Sequence, residues 1–145
     1  RPYNKYPFSL KVIADCFCES EGEADTFFDP SLEMWERQGI LLLNSSLTCR
    51  QGVPGSHTSL WKPFMSEVIK LIDAQQPNIF LLFGKTAQEF DIFVNKQKHF
   101  VVHCPHPAAL AYGNNIDKSV FVDAFKRCSE EFTKRHGGID WILPF

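Results

Sequence analysis

Three short apolar runs constrain this chain more than any other feature: residues 40–43, Ile79–Phe83 and the segment 99–102 with Phe100, Val101 and Val102. An unbroken apolar run of this length suits a strand buried on both faces, and such strands belong to parallel sheets covered by helices. The stretches between them have the helical period. Over residues 59–74 it is set by Trp61, Phe64, Met65, Val68, Ile69 and Ile72, all expected in the core. Each run also ends on a group with chemistry: Asn44, Gly84-Lys85, and His106 in Pro105-His106-Pro107-Ala108-Ala109-Leu110. The prolines fix φ and remove backbone donors, so this last loop cannot extend a sheet and its histidine is held. Parallel strands ending this way line up polar groups on the carboxyl edge, where open α/β sheets bind ligands.

The other elements follow from the same periodicities. Residues 8–19 place Leu10, Ile13, Ala14, Phe17 and Cys18 on a helix, with Ser9 as N-cap. An acidic loop then leads to a short helix through Trp35, begun by Pro30 with Asp29 as cap and ended by Gln38-Gly39. A Gly- and Pro-punctuated loop spans residues 50–57, and a shorter helix covers 86–93. The last helix, 118–134, gathers Phe121, Ala124, Phe125, Cys128 and Phe132 on one face, and Gly137-Gly138 stops it. The expected fold is α/β, a three-layer αβα arrangement on a short, mostly parallel central sheet, in a single domain over residues 1–145. Three strands are few for this much helix. Together with Arg1 in place of an initiator Met, that shortage is expected of the C-terminal part of a longer chain lacking one central strand.

Composition narrows the function classes. With 44% hydrophobic and 22% charged residues the chain is neither disordered nor coiled coil. A net charge of −2 leaves no global footprint for nucleic acid, so any such contact must be local. No apolar run reaches the roughly 18 residues of a membrane span. Five cysteines, Cys16, Cys18, Cys49, Cys104 and Cys128, lack zinc-site spacing. They are expected as buried free thiols in a reducing, intracellular compartment, with no metal or other cofactor.

Several pieces occur in one order: Trp35-x-x-Gln38-Gly39-Ile40-Leu41-Leu42-Leu43-Asn44-x-x-Leu47-Thr48, Gly55-Ser56-His57, Trp61-x-x-Phe64, Phe80-Leu81-Leu82-Phe83-Gly84-x-x-Ala87-Gln88, His106-Pro107-x-x-Leu110 and Ile139-Asp140-Trp141. This set resembles the C-terminal two-thirds of a family 1 uracil-DNA glycosylase, from Pro7-Phe8-Ser9-Leu10 to Trp141. The resemblance implies DNA base-excision repair: hydrolysis of the N-glycosidic bond of a flipped-out uracil, without a cofactor, by a monomer open to a protein partner or inhibitor. It implies that Asn44 reads the uracil edge, where an amide of fixed orientation discriminates against cytosine. His106 then donates to the O2 of the departing base, and Leu110 enters the stack as a wedge. Ser9, Gly84, Lys85, Pro107 and Ala108 fall in segments that grip the phosphate backbone.

The departures from the family are equally specific. Its Gly-Gln-Asp-Pro-Tyr motif, whose Asp positions the attacking water, and the aromatic that stacks on uracil do not occur here. Asp29-Pro30 stands in the wrong place and lacks Gly-Gln. Ala108, Ala109 and Ala111 replace hydroxyl- and proline-bearing family positions. The alternatives are therefore a catalytically inactive glycosylase-like module binding DNA or a protein, or a related glycosylase activating water through Asp29, Asp91 or Asp117.

Overall fold

The computed structural model describes residues 7–20, 31–112 and 115–136. In chain order the elements are α1 (Phe8–Ser20), α2 (Glu33–Arg37), α3 (Thr58–Asp73), β1 (Ile79–Phe83), α4 (Gly84–Gln88), β2 (Phe100–Cys104) and α5 (Ser119–His136). Two 3-10 segments, Glu89–Phe93 and Pro107–Tyr112, follow α4 and β2.

β1 and β2 pair in parallel, with Ile79 opposite Phe100 at one end and Phe83 opposite Cys104 at the other. Side chains alternate between the faces of each strand. Phe80 and Leu82 face one core with Met65 and Ile69 of α3 and with Phe90 and Val94. Ile79, Leu81 and Phe83 face the other, with Val102, Cys104, Trp35, Val12 and Ala14 of α1, and Phe121 and Phe125 of α5. Helices thus cover both faces of the sheet. The α/β layering expected from the apolar runs is what the chain forms.

The amino ends of the strands are clasped by a buried imidazole. The Asn78 N–H donates to His99 Nδ1 at 2.9 Å, so the ring proton sits on Nε2 and is donated to the Asp73 carbonyl at 3.0 Å. Phe80 meets the same ring edge-on, with centroids 5.2 Å apart.

The first apolar run departs from expectation. Residues 40–43 form no strand: Leu41, Leu42 and Leu43 are 66%, 53% and 44% exposed. Among the described residues, no backbone group from Leu41 to Asn44 has a hydrogen-bond partner. A strand needs a neighbour for its N–H and C=O groups, and the described sheet has only β1 and β2.

Other boundaries move for local reasons. Ser9 lies inside the first turn of α1 and is not its cap, because the Pro7 carbonyl already accepts from the Leu10 and Lys11 N–H groups. The helix containing Trp35 starts at Glu33 after Leu32, whose φ of 60° breaks any continuation from upstream. Asp29, Pro30, Gly137, Gly138 and the side chains of Phe17 and Cys18 lie outside the described residues. The helix expected over 86–93 begins at Gly84 and tightens to 3-10 from Glu89. Phe64 is exposed on α3 while Trp61 is half-buried and Met65 buried, so the apolar face of α3 is wider than the core it covers. Cys16, Cys104 and Cys128 are buried free thiols, but Cys49 is exposed in a loop.

Candidate active site

The carboxyl edge of the sheet is built by two strand exits. β1 leaves through Gly84, whose φ is +77°, a left-handed conformation that L side chains adopt only with strain. β2 leaves through Cys104 and Pro105 into His106. Because Phe83 and Cys104 are register partners, the two exits lie side by side. A Cβ placed on Gly84 would come within 3.0 Å of the His106 Cβ and 3.6 Å of its ring. The missing side chain of Gly84 is therefore the space that His106 occupies.

His106 is exposed, and among the described residues its ring is anchored on one side only. The Ala108 N–H donates to His106 Nδ1 at 3.1 Å, and the Ala109 N–H donates to the His106 carbonyl at 2.9 Å. With Nδ1 accepting, the proton of the neutral imidazole resides on Nε2, the atom left to donate outward. Pro107 is buried and Ala108 half-buried, which fixes the loop carrying these amides.

Gln88, to which the sequence pattern assigned no role, supports the same exit. Its Nε2 donates to the Cys104 carbonyl at 3.0 Å. The signal was present: an amide four residues after Gly84 lies on the same side of the short helix α4. Beneath the loop, burial pushes the Cys104 thiol up to about 12, with Cys16 and Cys128 adding to the effect. A thiol held protonated in this way is no nucleophile at neutral pH.

The remaining candidates are less closely joined. Lys85 is exposed and forms no ion pair among the described residues, which leaves its ammonium available beside Gly84. Ser9 is half-buried in α1, and α1 packs against the segment Pro107–Tyr112. Leu110, in that segment, is half-buried against the core of α1 and α5 and does not project freely. Asn44 is exposed, and its amide has no hydrogen-bond partner among the described residues, so the orientation that base reading requires is not fixed here.

The loop after Asn44 is better ordered. Trp61 Nε1 donates to Thr48 Oγ1 at 2.7 Å, and Thr48 Oγ1 lies 2.9 Å from His57 Nδ1. Ser46 Oγ donates to the Thr48 carbonyl at 2.9 Å.

Both described alternative carboxylates have structural partners. Asp91 Oδ2 lies 3.0 Å from His103 Nε2 and 2.8 Å from Lys96 Nζ, and Asp117 Oδ1 accepts from the Ser119 N–H at 3.0 Å where α5 begins.

Comparison with known proteins bears on the family and the fold. The model of the uracil DNA glycosylase superfamily matches residues 5–128. A uracil-DNA glycosylase of Brevibacillus brevis is 38% identical over 117 residues, covering 78% of this chain and 49% of the relative. One from Escherichia coli is 40% identical over 142 residues, covering 91% of this chain and 60% of the relative. The chain thus spans about half to three-fifths of these relatives, corresponding to their C-terminal part. Among solved structures, a mimivirus uracil-DNA glycosylase superposes with a TM-score of 0.78 at 24% identity, covering 94% of this chain and 55% of its own. A mimivirus UNG variant in complex with UGI gives 0.76 at 22%, covering 93% of this chain and 55% of its own.

Proposed function

Because the chain belongs to the uracil DNA glycosylase superfamily, we propose that it carries the leaving-group and base-reading side of a DNA-repair glycosylase that hydrolyses the N-glycosidic bond of uracil in DNA. The observation that carries this reading is the anchored imidazole of His106. Its Nδ1 is occupied by the Ala108 N–H, so Nε2–H is the outward donor. As the glycosidic bond breaks, negative charge gathers on the uracil, largely at O2. A donor fixed before the reaction stabilises that charge without reorganising, an effect of about 3–4 kcal/mol for one oxyanion donor.

The other residues take supporting roles. The target nucleotide must leave the stack to be reached, which costs a few kcal/mol. Asn44, at the end of its apolar run, offers one donor and one acceptor to the exposed base edge, with its amide fixed only once the base is bound. Gly84 and the amides after His106 allow close approach of a phosphate, and Lys85 adds a local cation to a chain without a global one. Leu110 serves as the wedge by leaving its half-buried position as the base leaves the stack. Water activation belongs to the part of the family fold that carries Gly-Gln-Asp-Pro-Tyr, a motif this chain does not contain.

The test is uracil release from a single-stranded oligonucleotide by the chain, run beside His106→Ala and Asn44→Ala. Release that each substitution cuts by about a hundredfold, as for loss of a transition-state donor, would support the enzymatic reading and would mean that a group other than the motif's Asp positions the water. Absence of release would overturn the enzymatic reading for this chain. The second reading, an inactive module that binds DNA, is favoured by the unfixed Asn44 amide and by alanines at 108, 109 and 111. It predicts salt-dependent affinity for the same oligonucleotide with no release.

A further inference from the structure

Among the described residues the Asn44 amide has no anchor, yet the segment that carries it is held from both sides. Before it, the Ile40 N–H donates to the Trp35 carbonyl at 3.0 Å, and Ile40 packs against the core that includes Leu81 and Phe83. After it, the hold is on Thr48. Ser46 Oγ donates to the Thr48 carbonyl, and His57 and Trp61 close on the Thr48 hydroxyl.

Those two rings belong to one helical turn. His57 is the N-cap residue of α3, and its carbonyl accepts from the Leu60 and Trp61 N–H groups at 3.0 and 3.1 Å. Positions four apart lie on one side of a helix, so both rings address Thr48 Oγ1 together, at 2.7 Å from Trp61 Nε1 and 2.9 Å from His57 Nδ1. An indole N–H can only donate, so the hydroxyl accepts there and has one proton to offer His57 Nδ1. The loop between Thr48 and His57 is closed on itself, with the Arg50 N–H donating to Ser56 Oγ at 2.8 Å.

α3 is in turn fixed to the sheet. Met65 and Ile69 share one core with Phe80 and Leu82 of β1, and Trp61 packs against it. β1 runs directly into Gly84, the residue that leaves room for His106. A continuous packed path therefore joins the His106 exit, through β1 and α3, to the hydroxyl of Thr48, and Thr48 stands only four positions from Asn44.

We propose that Thr48 is the positioning residue for Asn44, and that His57 acts through Nδ1 as the acceptor that holds it. Gripped by α3, Thr48 sets how far Asn44 stands from His106. The amide then has only to turn when a base arrives, and ordering one side chain costs less than ordering a loop. This role rests on the base-reading function assigned to Asn44, and it gives Thr48, His57 and Trp61 no contact with the base.

The test titrates the 145-residue chain with free uracil and with free cytosine, followed through its amide resonances. The parent chain should prefer uracil, and Asn44→Ala should abolish the preference. Thr48→Val keeps the shape of the side chain and loses the hydroxyl. It should weaken uracil binding by at least about tenfold and level the preference. Its urea midpoint should stay close to the parent's, because Thr48 is exposed and water can replace the bond. Thr48→Ser should rescue both affinity and preference. At His57 the two ring nitrogens can be separated: the oxygen of an asparagine falls where Nδ1 stands, whereas a glutamine reaches toward Nε2. His57→Asn should therefore bind uracil like the parent, and His57→Gln like Thr48→Val.

Uracil binding that Thr48→Val leaves unchanged would overturn the positioning role while leaving Asn44 as the base reader. Retention in His57→Gln with loss in His57→Asn would also overturn it, since Nε2 would then be the working atom. A parent chain indifferent between uracil and cytosine would instead remove Asn44 as the reader, and the role of Thr48 with it.

Discussion

Gly84 and His106 share one volume: a methyl group on the glycine would reach to 3.0 Å from the histidine Cβ. Gly84→Ala therefore imposes two costs at once. Its φ of +77° strains any L residue, worth about 1–2 kcal/mol, and His106 must shift by a few tenths of an ångström. A lowered urea midpoint is expected, with loss of uracil release from a releasing form of the protein. An unchanged midpoint would mean that the β1 exit relaxes at no cost.

The tautomer of His106 is directly observable. With Nδ1 accepting from Ala108, long-range proton–nitrogen correlation at neutral pH should show the neutral ring protonated at Nε2. Protonation at Nδ1 would leave no outward donor and remove the basis of the assigned role.

Gln88 should behave as a positioning residue. Gln88→Leu strips the donor from the carbonyl of buried Cys104, a loss of about 1 kcal/mol in stability. In a form that releases uracil it should lower kcat and leave KM nearly unchanged, and should broaden the His106 ring resonances. Gln88→Glu, which cannot donate when ionised, should resemble Leu.

The buried thiols predict alkaline sensitivity. Burial raises Cys104 from 9.0 to about 12 and Cys128 to about 11. Above pH 9 the unfolded chain loses thiol protons that the folded chain keeps. Stability therefore falls with rising pH, by about 1.4 kcal/mol per unit for each thiol in its window. The fall begins near pH 9 and ends near 11 for Cys128 and 12 for Cys104. Cys104→Ala should flatten the slope of the unfolding free energy between pH 9 and 10.5. Iodoacetamide should label Cys49 far ahead of Cys16, Cys104 and Cys128 in the folded protein.

His99 gives a stability contrast away from the site. His99→Leu leaves the Asn78 N–H without its partner, at about 1–3 kcal/mol for a buried group unsatisfied, while the Asp73 carbonyl keeps its bond from Lys98 Nζ at 2.6 Å. A drop in the urea midpoint is expected.

What could be read from sequence was local or periodic. The Ile79–Phe83 run, the glycine at its end and the His-Pro loop each fix their own conformation, so their meeting at one sheet edge followed from parallel pairing. The leucines at 41–43 have the same composition as a buried strand, yet pairing depends on a partner that no local pattern encodes. Ser9 looked like a cap, but caps are decided by which carbonyl the first amides reach, and that was Pro7. Gln88 was missed because its task is a bond to a carbonyl sixteen positions away.

The clasp around His99 also has a geometric consequence. It pins Asn78 and Phe100 together at the start of the two strands, where the Phe100 N–H also donates to the Asn78 carbonyl at 3.0 Å. Each strand then advances in step for five residues, roughly 16 Å. A slip of one residue at the clasp would turn every side chain to the opposite face and present another residue to Gly84. The imidazole at one end of the sheet thus serves as the zero mark of a ruler, and His106 stands where its last graduation falls.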